Sequence, residues 1–212
     1  EYRIYDGVDY SNISPINIIV NPINDSPILS NILPQSIDED NLFLYDLIAS
    51  DIDDTDLSFS AILDGNASVD ISDSTLSILP SLNYNGGIEI DVSVSDGQLV
   101  DNSSFILTVI PVNDAPELSV LDNTEIEEDN ILTYILSADD VDGDLLSYNA
   151  FSSSGEITIF DSVLTLTPFN NYNGDIEVNV TVTDGELADT GSFIVTVLSI
   201  NDPPELDPLE DA

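Results

Sequence analysis

The most constraining feature of the sequence is that it repeats itself. Asn24-Asp25-Ser26-Pro27 returns as Asn-Asp-Ala-Pro at 113–116 and as Asn-Asp-Pro-Pro at 201–204, which gives spacings of 89 and 88 residues. Further landmarks recur in the same order and at the same spacings; these are Glu39-Asp40 with Glu128-Asp129, Asp51-Ile52-Asp53 with Asp140-Val141-Asp142, Asn83-Tyr84-Asn85-Gly86 with Asn171-Tyr172-Asn173-Gly174, and Asp96-Gly97 with Asp184-Gly185. Self-similarity at a fixed period indicates tandem copies of one structural unit.

The landmarks divide the chain into two whole repeats with a fragment on either side. We place the whole repeats at 26–114 and 115–202. Residues 1–25 are interpreted as the last strands of a preceding repeat, because Asp6-Gly7 stands where Asp96-Gly97 stands. Residues 203–212 are interpreted as the start of a following repeat. The chain is therefore expected to be a window on a longer array or, alternatively, a mature polymerising subunit.

Within each repeat the apolar residues alternate with polar ones. Ile88, Ile90, Val92 and Val94 alternate with acidic and serine residues, and 176–182 follow the same pattern. This period of two is typical of antiparallel strands with one buried and one solvated face. Seven strands are predicted in the first repeat, near 28–32, 42–48, 57–63, 67–72, 75–79, 88–95 and 103–111, with equivalents in the second. The predicted fold class is all-β: tandem seven-stranded antiparallel β-sandwiches of immunoglobulin-like size in an extended array.

The composition is strongly acidic and excludes several classes of function. Asp and Glu number 42 against a single basic residue, Arg3, so the formal net charge is −41. Such a surface repels nucleic acid and anionic membranes, and it attracts cations. Cys, His and Lys are absent, which excludes disulfides, zinc–thiolate sites, the Ser-His-Asp triad and Schiff-base chemistry. We predict no enzymatic activity, since the carboxylates lie in repeated turns and form no distinct catalytic cluster.

Paired aspartates are the strongest candidates for cation ligands. The i, i+2 spacing of Asp51 with Asp53, and of Asp140 with Asp142, places both carboxylates of a pair on one side of extended backbone. With only oxygen ligands available, Ca²⁺ is the first expectation, followed by Mg²⁺ or Mn²⁺. The same residues also fit plainer interpretations: Asp-Gly is an ordinary turn sequence, a paired aspartate suits a solvated loop, and a halophilic protein is acidic throughout. An EF-hand is excluded, because Phe151 occupies its twelfth position.

At the ends of the repeats the sequence resembles a known family. The run from Val94 to Pro116, with its Asp-Gly turn, final strand and Asn-Asp-Ala-Pro linker, resembles the end of a cadherin repeat. It is most similar to the cadherin-like repeats of large secreted bacterial adhesins, which also carry an internal D-x-D-G-D motif, present here as residues 140–144. The resemblance implies Ca²⁺ bound between successive repeats, and an extracellular location, secreted or at the cell surface.

The resemblance also implies a ligand set for each junction. Carried over residue by residue, it assigns Glu39, Asn113, Asp114, Asp140, Asp142 and Asp184 to one junction. It assigns Asn24, Asp25, Asp51, Asp53 and Asp96 to the preceding junction, and Glu128, Asn201 and Asp202 to the following one. The L-D-R-E motif of animal cadherins is missing, and Asn-Tyr-Asn-Gly stands in its region. Fewer ions per junction, or weaker binding, are therefore expected.

These features support three hypotheses about function. The first is a calcium-stiffened spacer in an extracellular adhesin or filament, whose partners are neighbouring repeats or copies of itself. The second is a recognition module that binds a carbohydrate or another protein chain. The third is a subunit that polymerises head-to-tail by strand complementation through residues 1–25. The near-equal lengths of the two repeats favour the spacer, while N-glycosylation at the Asn-x-Ser/Thr sequences stays open.

Overall fold

Short β-strands joined by turns make up the folded part of this protein. The structure is a computed structural model that describes residues 1–203, and the predicted start of a following repeat lies, apart from Pro203, outside the described residues. Unit 1 spans Glu1–Pro111 and unit 2 begins at Val112. Among the described residues there is no helix, and so none long and apolar enough to cross a membrane.

Unit 1 is a sandwich of nine strand segments. They are β1 (Ile28–Leu29), β2 (Gln35–Asp38), β3 (Phe43–Asp46), β4 (Ala49–Ser50), β5 (Ser58–Leu63), β6 (Ala67–Ser72), β7 (Thr75–Pro80), β8 (Gly86–Ser95) and β9 (Val100–Ile110). One sheet has the order β2-β9-β8-β5 and the other β3-β7-β6, while β1 pairs with β4. The alternation predicted for β8 is borne out, because Ile88, Ile90, Val92 and Val94 are fully buried in the core between the sheets.

Unit 2 repeats this arrangement strand for strand. Its segments are β10 (Glu117–Leu118), β11 (Thr124–Glu127), β12 (Leu132–Ile135), β13 (Ala138–Asp139), β14 (Ser147–Ser152), β15 (Gly155–Phe160), β16 (Val163–Pro168), β17 (Gly174–Thr183) and β18 (Ala188–Leu198). The sheets have the orders β11-β18-β17-β14 and β12-β16-β15, and β10 pairs with β13. A second apolar cluster, including Leu164, Leu166 and Phe193, forms its own core.

The tandem all-β sandwich fold is confirmed, with one addition to the predicted strand pairing. The strand predicted near 28–32 is only the short β1, and the unpredicted strand β2 follows it at Gln35–Asp38. The chain crosses here from pairing with β4 to the edge of the four-stranded sheet. There β2 runs parallel to β9, and β11 runs parallel to β18. Alternation reports which face of a strand is buried but carries no information on its direction relative to its neighbour.

Residues 1–25 contain little regular structure of their own. Two isolated antiparallel bridges, Tyr2 with Ser14 and Tyr5 with Tyr10, join residues 2–14 into a hairpin-like segment. Ile18, Ile19 and Val20 are each more than four-fifths exposed, whereas the aligned residues of β9, such as Leu107, are buried. The assignment of this segment to a preceding repeat, and the repeat boundaries drawn from the sequence, stay predictions.

Candidate metal centre

The loop after β13 gathers three aspartates around one point in unit 2. The Oδ1 atom of Asp140 accepts hydrogen bonds from the backbone N–H groups of Asp142 (3.0 Å), Gly143 (3.1 Å) and Asp144 (3.3 Å). Gly143 has a φ of 79°, the left-handed conformation that glycine adopts without strain. The tight loop brings one carboxylate oxygen from each of Asp140, Asp142 and Asp144 within 4.8 Å of the others.

The second oxygen of Asp140, Oδ2, is a buried acceptor that the protein does not satisfy with a hydrogen-bond partner in the described structure. A buried carboxylate oxygen without a partner costs free energy, on the order of 1–3 kcal/mol or more for a charged group. A bound cation would remove that cost.

Unit 1 has a corresponding but less compact loop. Asp51 Oδ1 accepts hydrogen bonds from the N–H groups of Asp53 (2.7 Å) and Asp54 (2.9 Å), and Asp51 Oδ2 is likewise buried without a partner among residues 1–203. Asp54 stands where unit 2 has Gly143. The same carboxylate geometry therefore recurs at the paired aspartate of each unit.

The Asn-Asp segment that precedes the first strand of each sandwich contacts these loops. In unit 2 the Asn113 amide donates to Asp184 Oδ2, and the backbone N–H of Asp114 donates to Asp142 Oδ2, both at 2.8 Å. In unit 1 Asn24 and Asp25 make the same two contacts with Asp96 and Asp53, also at 2.8 Å. The structure thus brings together in unit 1 the five residues assigned to the preceding junction, and in unit 2 five of the six residues assigned to the next junction.

The aspartate of each Asp-Gly turn accepts hydrogen bonds both from the backbone of the turn and from the Asn-Asp segment. Asp184 Oδ1 accepts the N–H groups of Glu186 (2.6 Å) and Leu187 (2.7 Å), as the plain turn interpretation requires, while Oδ2 faces Asn113. The Asn113 amide, helped by these two N–H groups, lowers the pKa of Asp184 below its ordinary value of 3.8. The N–H of Leu99, then the Asn24 amide, lowers the pKa of Asp96. Both carboxylates are therefore anionic at neutral pH.

The two predicted glutamates lie at the other end of their units. Glu39 follows β2 and is buried, and its backbone N–H donates to the carbonyl of Ile110 at the end of β9 (2.9 Å). Glu128 is also buried, its N–H donates to the Leu198 carbonyl (2.8 Å), and its carboxylate accepts the N–H of Ile200. Glu128 thus lies beside the segment that carries Asn201 and Asp202. Of these two, the described structure gives Asn201 only a local contact, its amide donating to the Asp202 carbonyl (3.1 Å).

One candidate ligand was not in the predicted set. Asp144 joins Asp140 and Asp142 in the acidic cluster, although the carried-over ligand set took only Asp140 and Asp142 from this motif. The sequence feature that could have indicated Asp144 is its i, i+4 spacing from Asp140 in the D-x-D-G-D motif. Extended backbone would have carried Asp144 away from Asp140, and only the turn at Gly143 folds it back.

The donor set fits a hard divalent cation. Every group that faces the cluster is a carboxylate, an amide or a backbone group, and Ca²⁺ takes about 6–8 oxygen ligands at roughly 2.3–2.6 Å. The carboxylates accept hydrogen bonds from amide and backbone N–H groups, which favour their anionic form, and Asp140 Oδ2 is buried without a hydrogen-bond partner in the described structure. These two features favour a bound cation over the interpretation of a solvated loop. The residues of unit 2 therefore fit the cation that the resemblance implies.

Comparison with known proteins places the chain in a family. The cadherin-like domain family matches residues 23–110 and again 112–198. A human protocadherin-24 structure of repeats EC1-2 is 13% identical and has a TM-score of 0.50, covering 82% of this chain and 100% of its own. The endo-fucoidan hydrolase MfFcnA4, from glycoside hydrolase family 107, is 22% identical with a TM-score of 0.38, covering 89% of this chain. This chain covers 31% of the hydrolase. No curated protein matches the sequence. Because the family match spans both units, the chain belongs to the cadherin-like domain family.

Proposed function

We propose that this chain is a calcium-stiffened spacer of an extracellular adhesin or filament. The observation that carries the proposal is the buried oxygen of Asp140, which has no hydrogen-bond partner in the described structure and belongs to a cluster of three carboxylates. Carboxylates this close together repel each other, and Arg3 is the single basic residue of the sequence that could neutralise them. A bound divalent cation converts that repulsion into cross-linking.

The ion is proposed to be shared by consecutive repeats. In unit 2, Asn113, Asp114, Asp140, Asp142 and Asp184 supply most of the oxygen ligands, with Asp144 as an additional carboxylate. Glu39, which stands at the end of unit 1 from which the chain leaves β9, is proposed to complete the set. The equivalent residues of unit 1 would serve a junction with a preceding repeat, and Glu128, Asn201 and Asp202 a junction with a following one.

The similarity of the two units supports a spacer over a recognition module. Corresponding strands have equal lengths throughout, for example 10 residues in β8 and β17 and 11 in β9 and β18. Units of equal size that are joined end to end extend an array without creating a distinctive loop. Extracellular calcium is millimolar, so sites with a Kd of about 10⁻⁴–10⁻³ M suffice for this role. We assign no catalytic role to the chain.

Calorimetric titration of the chelator-treated chain with Ca²⁺ tests the proposal. Asp140→Asn keeps the size of the side chain but removes its charge, and we expect it to weaken Ca²⁺ binding at one site at least tenfold, or about 1.4 kcal/mol. Asp161→Asn is the matched control, because Asp161 lies in an exposed turn with a φ of 54°, which Asn tolerates. Equal affinities of Asp140→Asn and the unaltered chain would contradict the assignment.

A further inference from the structure

Part of one face of the unit 2 sandwich carries no charged side chain. It is formed by the outward-facing side chains of residues 147–151 in β14, 179–183 in β17 and 188–192 in β18, which we call the neutral patch. Three side chains from each strand point outward here, and all nine are Ser, Thr, Asn, Ala or Phe. The patch ends at Glu177, the next outward residue of β17. In a chain with a net charge of −41, such an area is an exception.

Five of the seven polar side chains of the neutral patch are available to a ligand, whereas the other two, Ser147 and Thr183, donate to backbone carbonyls. Asn179 and Thr181 of β17, with Thr190 and Ser192 of β18, line a shallow depression. In the described part of the chain none of these four side chains, nor that of Asn149, takes part in a hydrogen bond. Hydroxyl and amide groups both donate and accept hydrogen bonds. The patch therefore presents a set of uncharged, mixed donors and acceptors.

An aromatic ring stands at the border of the depression. Phe151 pairs with Asn179 in the sheet and is 67% exposed. It lies in β14, the edge strand of the four-stranded sheet, so its outer side faces solvent. An exposed ring beside free amides and hydroxyls offers an apolar surface for carbon-bound hydrogens and polar partners for hydroxyl groups. A sugar ring carries both kinds of group.

From this geometry we infer that the neutral patch binds a neutral oligosaccharide. Stacking of one sugar on Phe151 and hydrogen bonds from Asn149, Asn179 and the neighbouring threonines would hold a short glycan across the three strands. The inference does not depend on the calcium site, which lies in the loops. Because the ligand is uncharged, the acidic surface around the patch does not repel it.

Size and charge favour this ligand over a second copy of the chain. The patch extends about 14 Å along the strands and roughly 10 Å across them. Its area of about 140 Å² is well below the roughly 800 Å² per partner that a stable protein interface buries. A second copy would also bring a further charge of −41, which opposes association.

The same face of unit 1 supplies an internal comparison. Ile62 and Asp91 occupy the positions of Phe151 and Asn179, and Asn102 Oδ1 accepts a hydrogen bond from Ser93 (2.6 Å). This face of unit 1 thus lacks the aromatic ring, carries a carboxylate and has polar side chains that hydrogen-bond to each other. We expect it not to bind the glycan.

NMR titration of the 212-residue chain with cellohexaose, laminarihexaose and mannohexaose tests the inference, with dextran sulfate as a charged control. At least one neutral sugar is expected to shift the side-chain amide signals of Asn149 and Asn179, with a Kd of about 0.1–1 mM, while dextran sulfate does not. Phe151→Ile, which installs the residue of unit 1, is expected to weaken binding at least tenfold. Phe160→Ile is the matched control, since Phe160 is 79% exposed on β15 in the other sheet.

Three results would overturn the inference. The first is the absence of shifts with all three neutral sugars at about 10 mM, well above the expected Kd. The second is equal binding by Phe151→Ile and the unaltered chain when backbone spectra show both to be folded. The third is self-association in sedimentation experiments that Phe151→Ile abolishes, which would assign the patch to a second copy of the chain.

Discussion

A single carboxylate, Asp184, combines two tasks at the residue scale. One oxygen holds the turn after β17, and the other accepts the amide of Asn113, 71 residues away in sequence. These donors favour the anionic form, so the pKa of Asp184 lies below 3.8 when the protein is folded. The contact that lowers the pKa of Asp184 most is thus also the one that positions the Asn-Asp segment.

Removal of the Asn113 amide is predicted to raise the pKa of Asp184. Asn113→Ala removes the hydrogen-bond donor that lowers this pKa most, so the folded-state pKa of Asp184 moves back toward 3.8. A lowered folded-state pKa stabilises the protein above pH 3.8, and this contribution is lost as the pH falls through the folded value. Asn113→Ala should therefore reduce stability at neutral pH and flatten its acid dependence below pH 3.8.

NMR titration of the Asp184 carboxyl carbon provides the measurement. Asn170→Ala is a suitable control, because Asn170 is exposed in a turn of the same unit. An unchanged titration midpoint in Asn113→Ala would show that the amide does not govern the charge of Asp184.

At the scale of strands, each unit is stabilised by the buried faces of its long central strands. Leu166 of β16 is fully buried, whereas Leu145, in the loop before β14, is 93% exposed. Leu166→Ala is expected to lower the free energy of unfolding of unit 2 by about 2–5 kcal/mol, because it removes buried methyl groups and leaves a cavity. Leu145→Ala should change it by roughly 0.5 kcal/mol or less.

Chemical denaturation followed by an NMR signal from each unit separates these effects. Because unit 1 has its own apolar core, its transition should move less than that of unit 2 in Leu166→Ala. A loss of stability in Leu145→Ala as large as that in Leu166→Ala would contradict the assignment of the core.

The sequence predicted the strands of this structure better than its loops. Alternating residues located β8 and β17 closely, since one face of each strand must be buried. Alternation could not show that β2 runs parallel to β9, because strand direction depends on where the chain crosses between sheets. The D-x-D spacing predicted two carboxylates on one side, but the addition of Asp144 depends on the turn at Gly143. The contact of Asn113 with Asp184 came from the family resemblance and not from local sequence.

For the whole molecule, the net charge of −41 produces electrostatic repulsion that bound cations would reduce. Exposed carboxylates far from one another are screened by salt within about 8–10 Å. Those gathered in the loops of each unit are too close for screening to remove their repulsion. Solvated carboxylates of a halophilic surface would require salt at high concentration, whereas the proposed sites should respond to Ca²⁺ far below the concentration of NaCl that screens the surface.

Small-angle X-ray scattering of the 212-residue chain, first treated with EDTA and then titrated with Ca²⁺, tests the central claim most directly. We expect Ca²⁺ to increase the maximum dimension and reduce the flexibility of the chain, since the ion would fix the angle between repeats, while Mg²⁺ at the same concentration has a smaller effect. The double variant Asp140→Ala with Asp142→Ala should abolish the change. A maximum dimension that does not respond to Ca²⁺, with no calcium retained after dialysis, would contradict the spacer mechanism and leave the carboxylates as solvating charge.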